Sequence, residues 1–236
     1  MKKYLKTMFL FLGFIFSFLV IGNYSALAIE DRVPVASYDA SFGGDQSIMI
    51  HIYANQTEPS EYDMHIVGSG KMKNFDDDIP WINTDDSVEL IYNITSVTID
   101  NTITNIGAGA LAFLNVRVVD IPNSVTSIEE YAFAYIKAET INIPNSVVTI
   151  ADGAFAGSSI TSINVPSSVI TIGDGIFAYT ESLTSVTGME GLTYIGEEMF
   201  MGSAIHKCAI IYFFYITWDI NRVDSTSHKH FLTNIS

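Results

Sequence analysis

The chain is poor in cysteine, in positive charge and in catalytic signatures. Cys208 is its single cysteine, so no internal disulfide can form, and a thiolate zinc site or a two-cysteine redox motif lacks its parts. Lysine and arginine number 11 against 26 aspartates and glutamates. A formal charge of −15 argues against a nucleic-acid partner, because a phosphate backbone rewards Lys and Arg. The histidines His51, His65, His206, His228 and His230 fall in no H-E-x-x-H or related metal frame. Gly68-Ser69-Gly70 lacks the third glycine of a nucleotide loop and reads as a tight turn. No G-x-S-x-G elbow is present. These absences leave no catalytic constellation, no cofactor and no metal to expect, and the chain reads as a non-enzyme.

Long apolar runs are also scarce. The N-terminal stretch "TMFLFLGFIFSFLVIG" follows Lys2, Lys3 and Lys6 and precedes "NYSALA", with Ala26 and Ala28 at the small-residue positions of a cleavage site. Residues 1–28 therefore read as a secretory signal peptide, since the stretch is short for a span of ~20 residues. Cleavage would remove three lysines and no acid, taking the charge from −15 to −18. An acidic exported chain without disulfides has to be held together by apolar packing or by repetition.

Repetition is present. "IPNSV" begins at Ile121 and again at Ile143, "VPSSV" at Val165 and "IDNTI" at Ile99, each step being 22 residues. A fixed period of that size is the mark of a stacked array. Read down its columns, the chain keeps Ile106, Ile128, Ile150, Ile172 and Ile195 in one phase, and Leu111, Phe133, Phe155, Phe177 and Phe200 in another. One added residue between Phe177 and Leu183 makes the last step 23. Around Ile160, Ile163 and Val165 the frame is I-x-x-I-x-V, the L-x-x-L-x-L of a leucine-rich repeat. Ile163 and Val165 point inward from a short strand, and Pro166 ends it. The column Thr102, Ser124, Ser146, Ser168 places a hydroxyl where it can bond a turning backbone. "EEYAF" and "GDGIF" are expected to form a short helical or 3₁₀ turn carrying Phe into the core. Glu130, Asp152, Asp174 and Glu197 would then start those turns, where the helix dipole favours an anion.

"IPNSVTSIEEYAF", "IPNSVVTIADGAF" and "VPSSVITIGDGIF" resemble the BspA-like leucine-rich repeats of bacterial and protist surface proteins. "MHIVGSGKMKNFDDDIPWI", from Met64 to Ile82, resembles the N-terminal cap of such arrays. The expected fold is an α/β repeat solenoid of 22–23-residue coils with an N-terminal β cap. Its parts are a signal peptide (1–28), a flexible leader (29–46), the cap (47–93), the solenoid (94–205) and an atypical tail (206–236). "SIMIHIYANQ" and "YDMHIVGSG" alternate as two cap strands should. The tail, with "IYFFYITW", leaves the repeat register. It reads as an aromatic C-cap, as a short membrane-seeking segment, or as the product of a shifted reading frame.

Any binding face must lie between the core columns. The outward side of the strand ladder offers Thr98, Asp100, Asp120, Thr140, Asn142, Ser162, Asn164, Ser185 and Thr187, which are small, polar and mildly acidic; repeat arrays bind along such faces. The acidic run Asp76–Asp78 with Asp85 and Asp86 matches no EF-hand loop and reads as a solvated loop. The resemblance implies a secreted or cell-surface protein that adheres to other proteins, host matrix proteins such as fibronectin and fibrinogen among them; the acidic charge leaves no nucleic-acid partner to expect, and the signal peptide is the one membrane contact expected. The alternative is a structural spacer, or a fragment of a larger surface protein.

Overall fold

The computed structural model describes residues 32–44, 46–58, 60–75, 79 and 87–207. The expected signal peptide, the Asp76–Asp78 run, Asp85 and Asp86, and everything from Cys208 onward lie outside the described residues. The elements below all belong to the unit that begins at Pro34.

Four strands open the fold: β1 (Ala36–Asp39), β2 (Ile48–Ala54), β3 (Tyr62–Gly68) and β4 (Ile94–Ile99), in that order across one sheet. β1–β2 and β2–β3 are antiparallel, whereas β3–β4 is parallel. β2 and β3 are the two strands expected from alternation. Ile48, Ile50, Ile52, Met64 and Ile66 are fully buried on one side, as a period of two requires. The stretch 29–46, expected as a leader, differs: its residues 36–39 form β1. Ala36 and Tyr38 pack on the core, and the free edge of β2 supplies backbone partners for them. The Ser41 hydroxyl and then its backbone N–H bond the Asp39 carboxylate and hold its pKa below the usual carboxylate value. Burial raises that of Tyr38.

Helix α1 (Ser87–Asn93) leads into β4, and from there the chain coils. One side of each coil carries β4, β6 (Val118–Asp120), β8 (Thr140–Asn142), β10 (Ser162–Val165) and β12 (Ser185–Gly188). A second side carries β5 (Asn105–Ile106), β7 (Ser127–Ile128), β9 (Thr149–Ile150), β11 (Thr171–Ile172) and β13 (Tyr194–Ile195), paired in parallel as one five-stranded ladder. The "IPNSV" repeats are the corners between these sides. In each, the proline carbonyl accepts the N–H of the valine three residues on, at 3.1 Å for Pro122–Val125 and Pro144–Val147 and 3.0 Å for Pro166–Val169.

The third side corrects an expectation. In place of a helical or 3₁₀ turn, each coil runs through overlapping turns punctuated by left-handed residues. Tyr131 has φ 52°, Tyr135 56°, Gly153 59° and Gly157 63°. A left-handed residue every fourth position prevents a helix from forming, and for a side chain with a Cβ it costs about 1–2 kcal/mol. Alternate N–H groups then reach the next coil: Tyr131, Phe133 and Tyr135 donate to the carbonyls of Asp152, Ala154 and Ala156 at 3.0, 2.8 and 2.8 Å. Those between close the turn locally, as Ala134 N–H does on Tyr131 O at 3.0 Å. Among the described residues, helix is confined to α1 and the 3₁₀ turn Ala204–Lys207. The α/β expectation therefore narrows to a β-solenoid of leucine-rich repeat type. The acidic column has no helix to begin. Asp152 Oδ1 accepts the Asp174 N–H at 2.8 Å, and Asp174 Oδ1 accepts that of Glu197 at 2.7 Å, so these carboxylates link consecutive coils.

The core is one cluster running from the N-terminal sheet into the coils. Phe133, Phe155, Phe177 and Phe200 stack at centroid distances of 5.4, 5.8 and 5.5 Å. The hydroxyl column behaves unevenly. Thr102 Oγ1 donates to Gly68 O and Ser124 Oγ to Ile103 O, both at 2.6 Å, whereas Ser146 Oγ and Ser168 Oγ are buried without a partner. Ser124→Ala is expected to cost about 1 kcal/mol, the net worth of one hydrogen bond, while Ser146→Ala stays within about 0.5 kcal/mol or stabilises. Urea denaturation midpoints of the two variants compare these directly.

Candidate functional site

The strand side built from β4 to β12 turns every second residue outward. β6 and β8 pair Val118 with Thr140 and Asp120 with Asn142, while Val119 and Ile141 between them face the core. β10 and β12 pair Ser162 with Ser185 and Asn164 with Thr187 around the inward pair Ile163 and Val186. Two outward columns result, one residue per coil, with neighbouring strands ~4.8 Å apart. Between the columns lies a groove of about 420 Å³, lined by Val118, Thr140, Asn142, Ser162, Asn164, Ser185 and Thr187, with Ile141 and Ile163 at its floor.

Six of the nine residues singled out from the sequence thus come together: Thr140, Asn142, Ser162, Asn164, Ser185 and Thr187. Thr98 and Asp100 do not join them. Both are exposed on the side of β4 that meets β3, and both are engaged there. Thr98 Oγ1 bonds His65 Nδ1 at 2.9 Å, and Asp100 Oδ2 accepts the Gly68 N–H at 2.8 Å. Asp120 is exposed beside Asn142 in register, outside the groove lining. Val118, 58% exposed, is the one apolar side chain that the outward columns bring into the groove.

The groove is lined by hydroxyls, amides and three aliphatic side chains. It offers hydrogen-bond donors and acceptors, and none of its lining groups titrates near neutral pH. Thr187 Oγ1 already donates to Asn164 Oδ1 at 3.0 Å, which pre-orients that pair. Such a face suits an extended partner that exchanges hydrogen bonds with it. Elsewhere, His51 and His65 oppose each other across β2 and β3, and the Tyr53 ring stands edge-on to His65 at 5.1 Å. His65 is buried. Among the described residues, no group of three or more His, Cys, Asp or Glu is placed to hold a metal ion. No described helix is long and apolar enough to cross a membrane.

A further feature lies on the turn side. Phe113, Tyr131, Tyr135 and Tyr179 are large, exposed and all left-handed. Its signal was present in the columns, where tyrosine alternates with glycine: Tyr131 with Gly153, and Tyr135, Gly157, Tyr179 and Gly202 in turn.

A family described as "BspA type Leucine rich repeat region" matches residues 87–208 in six copies. Among solved structures, the chain is similar to a leucine-rich repeat protein from Eubacterium ventriosum, with a TM-score of 0.49 and 24% identity over 66% of this chain and 45% of that one. It is similar to the pneumococcal vaccine antigen PcpA, with a TM-score of 0.40 and 16% identity over 66% and 46%. It is also similar to a leucine-rich cell surface protein from Faecalibacterium prausnitzii, with a TM-score of 0.34 and 20% identity over 64% and 54%. The chain spans about half the length, or less, of these structures. No curated protein matches it.

Proposed function

Because the chain belongs to the BspA-type leucine-rich repeat family, we propose that it is an exported binding module whose solenoid takes hold of other proteins along the outward columns of β6 to β12. The observation that carries this reading is the groove itself. Three pairs of small polar residues, two of them in register across β10 and β12, line one surface free of charge. Extended repeat faces of this kind bind by many modest contacts. Few aromatic or arginine anchors stand among them, so affinity per copy is modest, and many copies on one surface would raise it through avidity. In the same reading, residues 1–28 direct export, the sheet β1–β4 caps the array, and host matrix proteins are the first partners to try.

The test is surface plasmon resonance of the purified chain over immobilised fibronectin and fibrinogen. Binding is expected, and Asn142→Ala combined with Asn164→Ala should weaken it at least tenfold, equivalent to about 1.4 kcal/mol. Absence of binding to either protein, or binding indifferent to the double variant, would remove the groove from the account and favour the spacer reading.

A further inference from the structure

We propose a second interaction surface, on the turn side of the solenoid, that fits an arginine-rich extended segment of a partner protein. It lies on a different side of the coils from the groove and does not rest on it.

The first observation is aromatic. Tyr131 and Tyr179 are each 54% exposed, Tyr135 47% and Phe113 43%. The rings are held in place from beneath. Phe113 and Tyr135 stack at 5.0 Å with planes 6° apart. Tyr131 lies over Gly153, Tyr135 over Gly157 and Tyr179 over Gly202, so closely that a Cβ on any of those glycines would fall within 2.3, 2.5 and 2.7 Å of a ring carbon. Tyr131 and Tyr179 thereby have one face seated, Tyr135 is held between Phe113 and Gly157, and about half of each residue stays open to solvent.

The second observation is backbone strain. All four aromatics occupy left-handed positions that glycine fills in neighbouring coils, at Gly109, Gly153 and Gly175 and at Gly157 and Gly202. Glycine adopts this conformation freely and a residue with a Cβ does not. Strain retained in exposed residues points toward function.

The third is charge. Between residues 94 and 205 stand 11 acids and two bases, Arg117 and Lys137. Four of the acids, Glu130, Asp152, Asp174 and Glu197, directly precede or adjoin the first left-handed column, one per coil, and all are exposed. Asp152 and Asp174 each give one oxygen to a backbone N–H and keep the other for a ligand.

Exposed aromatic rings on a side of the coils that also carries a row of carboxylates, with Tyr131 directly following Glu130, match arginine better than lysine. A guanidinium stacks on a ring while its N–H fork engages a carboxylate, and an ammonium does only the second.

The experiment titrates the purified chain into fluorescently labelled nona-arginine and nona-lysine peptides and follows anisotropy. Nona-arginine is expected to bind at least fivefold tighter than nona-lysine. The triple variant Tyr131→Gly, Tyr135→Gly, Tyr179→Gly keeps every charge, so it should weaken nona-arginine binding at least tenfold, leave nona-lysine within twofold, and leave the melting temperature unchanged or raised. The single variant Tyr179→Gly, which touches one coil, should weaken nona-arginine at least threefold. Equal affinity for the two peptides, or nona-arginine binding untouched by either variant, would reduce the surface to diffuse negative charge and overturn the proposal. The Asn142→Ala, Asn164→Ala chain should bind nona-arginine as the unaltered chain does; a loss there would overturn the separation of the two faces.

Discussion

Phe155→Ala is expected to destabilise the protein by about 3–5 kcal/mol and to unfold several coils together. The ring has no exposed surface and is stacked between Phe133 and Phe177 at 5.4 and 5.8 Å. Its removal forfeits the transfer energy of a large apolar group and leaves a gap in the middle of a column that backbone bonds on all three sides keep from collapsing. Whole domains are stable by only about 5–15 kcal/mol. In a linear array each coil is supported by its two neighbours alone, so a weakened middle coil weakens both interfaces it shares. Phe200→Ala should cost less, because Phe200 retains 6% exposure where Phe155 has none, and among the described residues its ring stacks on Phe177 alone. Urea denaturation followed by circular dichroism measures both, and equal losses would contradict the nearest-neighbour picture.

Gly188→Ala should cost roughly 3 kcal/mol or more, combining a strained left-handed backbone with an enforced clash. Gly188 has φ 81°, closes β12 opposite Val165 of β10, and would carry a Cβ 1.8 Å from the Val165 carbonyl oxygen. That oxygen is itself bonded to the Met189 N–H at 3.0 Å, so the strands must part to admit a methyl group. Gly175→Ala is the control. Its φ of 58° is as left-handed, but the nearest atom to the new Cβ is the Ala178 side chain at 3.6 Å, and only the backbone cost of about 1–2 kcal/mol is expected. Thermal melts of the two variants should separate by several degrees.

The repeat makes most of the coil legible in the sequence itself. Ile106, Ile128, Ile150 and Ile172 keep one phase because each must fill the same place in a stack, and all four are buried as that phase demands. Pro122, Pro144 and Pro166 mark corners because a proline cannot extend a ladder. The turn side was not legible in the same way. "EEYAF" has the composition of a helical turn, and only the requirement that alternate N–H groups reach the next coil forces Tyr131 and Tyr135 into the left-handed region. That requirement comes from stacking, which a single coil does not reveal. For the groove, alternation correctly placed Thr140, Asn142, Ser162 and Asn164 outward, but it could not show that Thr98 and Asp100 are engaged by the N-terminal sheet. Those bonds join residues more than thirty positions apart, beyond the reach of the 22-residue period.

The bonds between coils all join equivalent places in successive turns of the chain, on three sides at once. Tension applied to the chain at the end of the array would therefore meet one coil interface at a time, and that interface would give way as a unit before the next was loaded. Each coil released would lengthen the chain by about 75 Å, the span of 22 extended residues. A protein tethered at a surface and held by a partner at its far end would thus yield in steps, absorbing mechanical work with each one while the coils still stacked kept their grip.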